Sequence, residues 1–359
     1  MVPSEKVKTI NPDRVSESWL TARLQDCGAA AESATVTGFT AQPIGAGKMG
    51  DTFRYQLTWG GPPGPATVVG KFASADQESR AAALRTGIYQ REINFFSELA
   101  SHVDIRIPNC HYCKMDASTG EFVVLMEDLA PATVGDQITG CSPDEANAAL
   151  EELVGLHGVE IPGLASRDWL GSKCPEAAEN MGLMYSTLLP TFLERYADRL
   201  SSETIRVAER FGGCAKKWLT MSSAPYRLLH GDYRLDNLMF GPEGVTAVDW
   251  QTVCYGPPVS DVSYFCGAGL LTDDRRAHEE GLVRSYHERL EHRSGGLISW
   301  DRCWADYRLH AVAGLHMAVV AAAMVTEDER GVALFSAMAE RHAAHVVDLE
   351  TLDLLESCG

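Results

Sequence analysis

The chain has 359 residues, 45% of them apolar, and a formal net charge of -18. That length gives room for two domains with cores of their own, and the charge argues against nucleic acid or an anionic membrane surface as the main partner. No charged-then-apolar leader opens the chain, and its longest apolar helical stretch (311–325) contains His316 and falls short of the ~20 residues of a membrane span, so a cytoplasmic protein is expected.

In chain order, residues 1–10 read as a loose tail and 13–27 as an amphipathic helix. Val15, Trp19, Leu20 and Leu24 share one face of that helix, and Gly28 stops it. Gly45, Gly47 and Gly50 then fit G-x-G-x-x-G. The residues beyond, Phe53, Tyr55, Leu57 and Trp59, alternate with polar ones at strand period, so the glycines belong to a hairpin turn and not to the strand-to-helix turn of a dinucleotide fold. Lys48 is followed by Met49, which excludes a Walker A loop. Such a hairpin can lay backbone N–H groups over a triphosphate, although a hairpin without a ligand would read the same way. After the loop 60–65, a short apolar strand (67–72) carries Lys71. An unpaired buried lysine is costly, so Lys71 either snorkels to the surface or meets an anion. Glu92, on a helix expected over 79–102 with Ile88, Phe95, Phe96 and Leu99, is the candidate partner.

Cys110 and Cys113 form a lone C-x-x-C. A structural zinc site would want a second pair, and the ten cysteines otherwise scatter as free thiols would. The apolar strand 121–126 ends at Glu127-Asp128-Leu129-Ala130-Pro131, either an ordinary strand end or a link between two lobes. A boundary there gives an N-terminal lobe of 1–129 and a C-terminal lobe of 130–359. Ser142-Pro143-Asp144-Glu145 is a capping box with proline at the first helical position. Helices are expected over 183–200 and 203–219, and the remainder, 275–355, is expected to be helical. His157, His230 and His316 sit in apolar settings and read as core residues, His230 as a scaffold for the loop that follows it. Trp300, Trp304 and Tyr307 also read as core, and the charged stretch 273–276 as a solvated face.

The most informative stretch is Leu228-Leu229-His230-Gly231-Asp232-Tyr233-Arg234-Leu235-Asp236-Asn237-Leu238-Met239-Phe240. Apolar runs flank a polar turn, His-x-Asp-x-x-x-x-Asn. A turn at Pro242 and Gly244 and a short strand then carry Asp249 back toward it. Any one of these acidic residues alone would pass for a turn former. Together, Asp232, Asn237 and Asp249 offer oxygens that suit Mg²⁺. One Asp left off the metal could accept a hydroxyl proton, which is the layout of a kinase catalytic loop and its metal-binding Asp. Past Gly256-Pro257-Pro258, a helix is expected from Val262, capped by Asp261.

With these parts in this order, the chain resembles the aminoglycoside phosphotransferase and choline kinase-like superfamily over roughly 40–355. The likeness is strongest at 230–237 and 249–261, and Glu127–Pro131 with Gly135-Asp136 leans toward the ecdysteroid kinase-like branch. The resemblance implies an α+β, protein-kinase-like two-lobed fold, with a small antiparallel-sheet N-lobe, a mostly helical C-lobe and ATP between them. It implies Asp232 as the base and Asn237 and Asp249 as holders of Mg²⁺. Lys71, oriented by Glu92, would meet the phosphates under the Gly45, Gly47, Lys48 and Gly50 hairpin. Glu127 and Leu129 would meet the adenine through backbone groups. Arg234 is placed to touch the γ-phosphate, or else it is a surface loop arginine or a partner for Asp236. His-Gly-Asp and Asp249-Trp250-Gln251 depart from the protein-kinase His-Arg-Asp and Asp-Phe-Gly, and only a dozen residues separate Asp249 from Asp261. That leaves little room for an activation segment and favours a small-molecule alcohol over a protein acceptor, with aminoglycosides as a special case. A nucleotide-binding pseudoenzyme or regulatory module on the same fold is the alternative. The intact set Lys71, Glu92, Asp232, Asn237 and Asp249 argues for an active enzyme.

Overall fold

In the computed structural model of the chain, residues 11–45, 49–170, 175–221, 225–324 and 328–357 are described. They fall into two compact units, Met1–Ser101 with Ile107–Ala130 and His102–Arg106 with Pro131–Gly359.

The first unit is a sheet faced by helices. Helix α1 (Glu17–Asp26) precedes β1 (Thr35–Pro43), β2 (Gly50–Gly60) and β3 (Thr67–Ala73). Helices α2 (Gln77–Thr86) and α3 (Ile88–Asn94) then lead to β4 (Cys110–Met115) and β5 (Phe122–Glu127). The strands run in the order β1-β2-β3-β5-β4, each antiparallel to its neighbour. Because side chains alternate along a strand, β5 feeds two cores. Val123 and Leu125 pack with Leu20 and Leu24 of α1, and Phe122 and Val124 with Tyr89 and Ile93 of α3.

Two helix expectations need correction here. The first helix starts at Glu17, where the Ser16 hydroxyl accepts from Trp19 N–H at 3.2 Å, with a 3-10 turn (Pro12–Arg14) ahead of it. The stretch expected as one helix over 79–102 is broken. Gly87 closes α2 in the left-handed region (φ 71°), as glycine does at helix ends, and the chain then continues as α3, a π turn (Phe95–Leu99) and a 3-10 turn.

The second unit is mostly helical. Its first elements are β6 (Thr133–Val134), α4 (Pro143–His157), α5 (Pro175–Tyr196), α6 (Ser202–Gly212) and α7 (Ala215–Met221). Next come β7 (Arg227–Leu229), β8 (Leu238–Gly241), β9 (Gly244–Ala247) and β10 (Cys254–Gly256). Helices α8 (Val259–Gly269), α9 (Thr272–Ser294), α10 (Trp300–His310), α11 (Ala313–Met324), α12 (Glu329–Asp348) and α13 (Thr351–Ser357) complete it. Both capping-box bonds of Ser142 and Glu145 are present at the start of α4. The helix expected over 203–219 is split at Gly212-Gly213, two residues that disfavour helix continuation. Strands β6, β8 and β9 form one small sheet, and β7 pairs with β10 in another. Among the described residues no helix is long and apolar enough to cross a membrane.

Burial settles several polar residues. His157 is fully buried between Tyr286, whose hydroxyl lies 2.8 Å from Nδ1, and Asp261. His316 stacks on Tyr185, and burial lowers its pKa to about 4. Of the three aromatics expected in the core, Tyr307 is fully buried, while Trp300 and Trp304 are half-buried and stack in line with it. The stretch 273–276 is not a solvated face throughout. Arg275 points inward, fully buried, and pairs with Glu279 at 2.8 Å and with Asp348. Its position one turn before Glu279 on α9 makes the pair possible, and Asp348 at the end of α12 completes it.

Removing the cation from a buried pair strands its partners, at a cost of ~3–5 kcal/mol. Arg275→Met is therefore expected to lower the unfolding free energy by about that amount in urea denaturation. A change below about 1 kcal/mol, the worth of an exposed pair, would contradict the buried network.

Candidate active site

The turn from His230 to Asn237 is held from three sides. Strand β7 delivers it on the apolar pair Leu228 and Leu229, both buried. Helix α8 supports it from below: the Asp261 carboxylate accepts His230 N–H at 2.7 Å and Gly231 N–H at 3.1 Å. The His230 ring spans the turn, with Nε2 3.0 Å from the Val248 carbonyl and Nδ1 accepting Asp232 N–H at 3.3 Å. Those partners put the ring proton on Nε2. Gly231 adopts φ +79°, and a Cβ there would lie 2.4 Å from the Thr252 carbonyl oxygen, so a side chain at this position would be both strained and blocked.

Asp232 is oriented by three donors. Tyr264 Oη donates to Oδ1 at 2.6 Å, while Arg234 Nε at 3.1 Å and Asn237 Nδ2 at 2.9 Å reach Oδ2. Asn237 Nδ2 also donates to the Asp232 carbonyl at 2.9 Å. Both bonds use the amide nitrogen, which fixes the amide orientation and leaves Oδ1 as the oxygen Asn237 can offer a cation. Arg234 is no loose surface arginine. It bridges Asp232 and Asp236, the latter at 2.8 Å from Nη1. Burial pulls its pKa down, but the charges of Asp232 and Asp236 and the hydrogen bond to Asp232 outweigh that and raise it overall.

Asp249 returns to the turn on the hairpin of β8 and β9. Leu238 opposes Ala247, Val248 N–H donates to the Asn237 carbonyl at 2.9 Å, and Asp249 is the next residue. It sits at φ 65°, ψ 73°, in the left-handed region. A non-glycine residue there stores strain of order 1–3 kcal/mol and is over-represented at functional sites. The donor set of one carboxylate and one amide oxygen suits Mg²⁺, which takes few protein ligands and fills its shell with phosphate and water. Among the described residues, no cluster of three or more His, Cys, Asp or Glu side chains forms a cage that could hold a metal by itself.

The first unit contains the other predicted residues. Lys71 Nζ lies 2.9 Å from Oε1 and 2.8 Å from Oε2 of Glu92, with the side chains 13% and 2% exposed, so this lysine pairs and does not snorkel. Strand β3 and the short helix α3 supply the two partners. Gly45 takes φ +76° at the start of the hairpin turn, and a Cβ on Gly50 would lie 2.9 Å from the Phe72 carbonyl oxygen. Gly47 and Lys48 lie outside the described residues. At the end of β5, Glu127 N–H is already taken by the Asn109 carbonyl at 2.9 Å, which leaves the carbonyl as its backbone group for a ligand. Arg54 clamps Asp128 with two bonds of 2.7 and 2.9 Å, fixing the backbone that leads to Leu129.

Two side chains at the turn escape sequence reasoning. Asp261 is not a helix cap: α8 begins at Val259, and its first turn aims Asp261 at the backbone of His230 and Gly231. Tyr264 lies one turn further on the same face, fully committed to Asp232. Burial, and then the charge of Asp232, raise its pKa well above the usual value and keep it a donor. Pro257 and Pro258 were the available signal, because prolines gather at helix starts and would have placed the first turn earlier.

Comparisons with known proteins bear on the fold and the family. The structure of choline kinase from Cryptosporidium parvum Iowa II superposes with a TM-score of 0.57 at 9% identity, over 96% of this chain and 97% of that one. That likeness is one of fold, and it confirms the expected α+β, protein-kinase-like class. Human acyl-CoA dehydrogenase family member 11 is 26% identical over 163 residues, 43% of this chain. Mouse acyl-CoA dehydrogenase family member 10 is 48% identical over 47 residues, 12% of this chain. The matched stretches span only 20% and 4% of those two proteins. Residues 41–303, from the strand before the glycine hairpin through α8 and into α10, match the model of APH, the phosphotransferase enzyme family, and the chain belongs to that family.

Proposed function

We propose that this protein is a Mg²⁺- and ATP-dependent phosphotransferase that moves the γ-phosphate of ATP to a hydroxyl group of a small molecule. The observation that carries the reading is the Asp232 carboxylate, half-buried at a turn and aimed by Tyr264, Arg234 and Asn237. A side chain oriented by three donors loses little freedom on meeting substrate, and phosphoryl transfer depends mainly on positioning and charge neutralisation.

In this reading Asp232 accepts the acceptor hydroxyl, aligns its oxygen and takes its proton. Asn237 Oδ1 and the Asp249 carboxylate hold Mg²⁺, which when bound neutralises charge on the transferring phosphoryl group. Lys71, oriented by Glu92, contacts the phosphates, and Gly45, Gly47, Lys48 and Gly50 are the further nucleotide-binding residues of this reading. Arg234, held charged by Asp232 and Asp236, lends positive charge to the γ-phosphate. The Glu127 carbonyl and the Leu129 backbone meet the adenine edge. Tyr264 is a positioning residue that acts through Asp232.

The segment after Asp249 supports a small-molecule acceptor. Residues 250–258 are spent on a 3-10 turn and on β10, which pairs with β7, before α8 begins at Val259. Residues 250–258 thus leave no room for an activation segment of the kind that docks a peptide in protein kinases.

The test is transfer of label from γ-labelled ATP, with Mg²⁺, to a pooled library of alcohols. Such a library would include aminoglycosides, choline, ethanolamine, sugars and sterols. Wild type is expected to give a labelled ester, and Asp232→Asn is expected to slow its formation by about 10²–10⁴-fold while ATP still binds. Equal transfer by the two proteins would remove Asp232 from the chemistry. Tyr264→Phe deletes one charge-assisted bond, worth ~1.5–3 kcal/mol to the folded state, so Tm should fall, and kcat should fall with it by about 10-fold or more while ATP affinity is unchanged. A lowered Tm with unchanged kcat would mean that Tyr264 is only structural.

A further inference from the structure

Cys110 and Cys113 are three residues apart on β4, a spacing that points side chains to opposite faces of a regular strand. A bulge at His111 changes this. Cys110 opposes Met126 and Cys113 opposes Val124, and those two partners are two residues apart on β5. An inserted residue restores the alternation, so both cysteines face the same side. Packing agrees: Cys110, Cys113 and Met115 lie against Val124, Tyr89 and Ile93, whereas Tyr112 lies on the other face with Val123 and Leu125. Strand β4 is at the edge of its sheet, and both thiols are free and half-buried.

We infer that Cys110 and Cys113 form a redox-active dithiol that closes to a disulfide on reaction with a low-molecular-weight disulfide such as oxidised glutathione. The two thiols have unequal roles. Their mutual hydrogen bond lowers the Cys113 pKa, while the same bond, followed by burial, raises that of Cys110. Cys113 is therefore the attacking sulfur. Its thiolate bonds to one sulfur of the small disulfide, the small S–S bond breaks, and one small thiolate leaves and takes up a proton. Cys110 then gives up its proton and attacks Cys113 Sγ, expelling the second small thiolate. The protein loses two electrons and two protons, and the small disulfide gains them.

The pair lies on the sheet face covered by α3, and the Glu92 carboxylate on that helix acts electrostatically on both thiols. The dithiol therefore sits behind the helix that carries the partner of Lys71. The bond itself does not depend on the proposed activity, and its test reads covalent mass, so the two ideas fail separately.

The test exposes the whole chain to excess oxidised glutathione, alkylates free thiols, digests and maps by mass. The expected result is an unalkylated segment spanning Cys110 and Cys113, lighter by about 2 Da and restored by dithiothreitol. Cys110→Ser should trap Cys113 as a stable glutathione adduct, whereas Cys113→Ser should leave Cys110 free for alkylation. Cys27, whose Sγ lies 3.6 Å from His111 Nδ1, is the competing thiol. A disulfide from either cysteine to Cys27, two separate glutathione adducts in the wild type, or two thiols that stay free would each overturn the inference.

Discussion

The second unit depends on one buried carboxylate. Asp261 is 3% exposed and accepts two consecutive backbone N–H groups, from His230 and Gly231, with His157 Nε2 3.4 Å away. A buried charge without such partners would cost several kcal/mol. With them it fixes the backbone of the turn at 230–237 against α8. The rest follows from that contact. The turn must pass under the Thr252 carbonyl, so position 231 must be glycine. His230 then spans to Val248 and ties the turn to the strand that brings Asp249. Tyr264, one helical turn beyond Asp261, reaches Asp232 from the same helix. A single helix thus anchors both the backbone and the side chain that the proposed chemistry uses.

The first unit depends on a smaller device of the same kind. Lys71 sits in an apolar strand and is tolerated because Glu92 meets it with both oxygens. The helix that carries Glu92 is short because Gly87 interrupts the longer one, and that break sets α3 on the sheet independently of α2. The same sheet face carries the Cys110 and Cys113 pair. A bulge of one residue there brings together two thiols that a regular strand would separate.

Much of this was legible in sequence because local chemistry dictated it. Phe53 to Trp59 alternate, so the strand and the glycine turn before it were readable, and the His-x-Asp-x-x-x-x-Asn run between two apolar segments marked its own loop. What could not be read depended on distant contacts. Nothing near Arg275 announces Asp348, 73 positions on, so a buried ion pair passed for a solvated face. Nothing near Tyr264 announces Asp232. The helices expected over 79–102 and 203–219 were drawn too long because their apolar period continues through glycines that end them in the fold. Asp261 was misread because an acidic residue at a helix start usually caps its own helix, whereas this one serves another segment.

The central claim is that Asn237 and Asp249 hold a metal–nucleotide complex beside Asp232. Calorimetric titration of ATP into the protein, with and without Mg²⁺, tests this most directly when repeated on Asp249→Asn. The account predicts that Mg²⁺ tightens ATP binding in the wild type by about tenfold or more, ~1.4 kcal/mol, and that the substitution abolishes this gain. ATP binding that ignores Mg²⁺, or a gain that survives in Asp249→Asn, would contradict it.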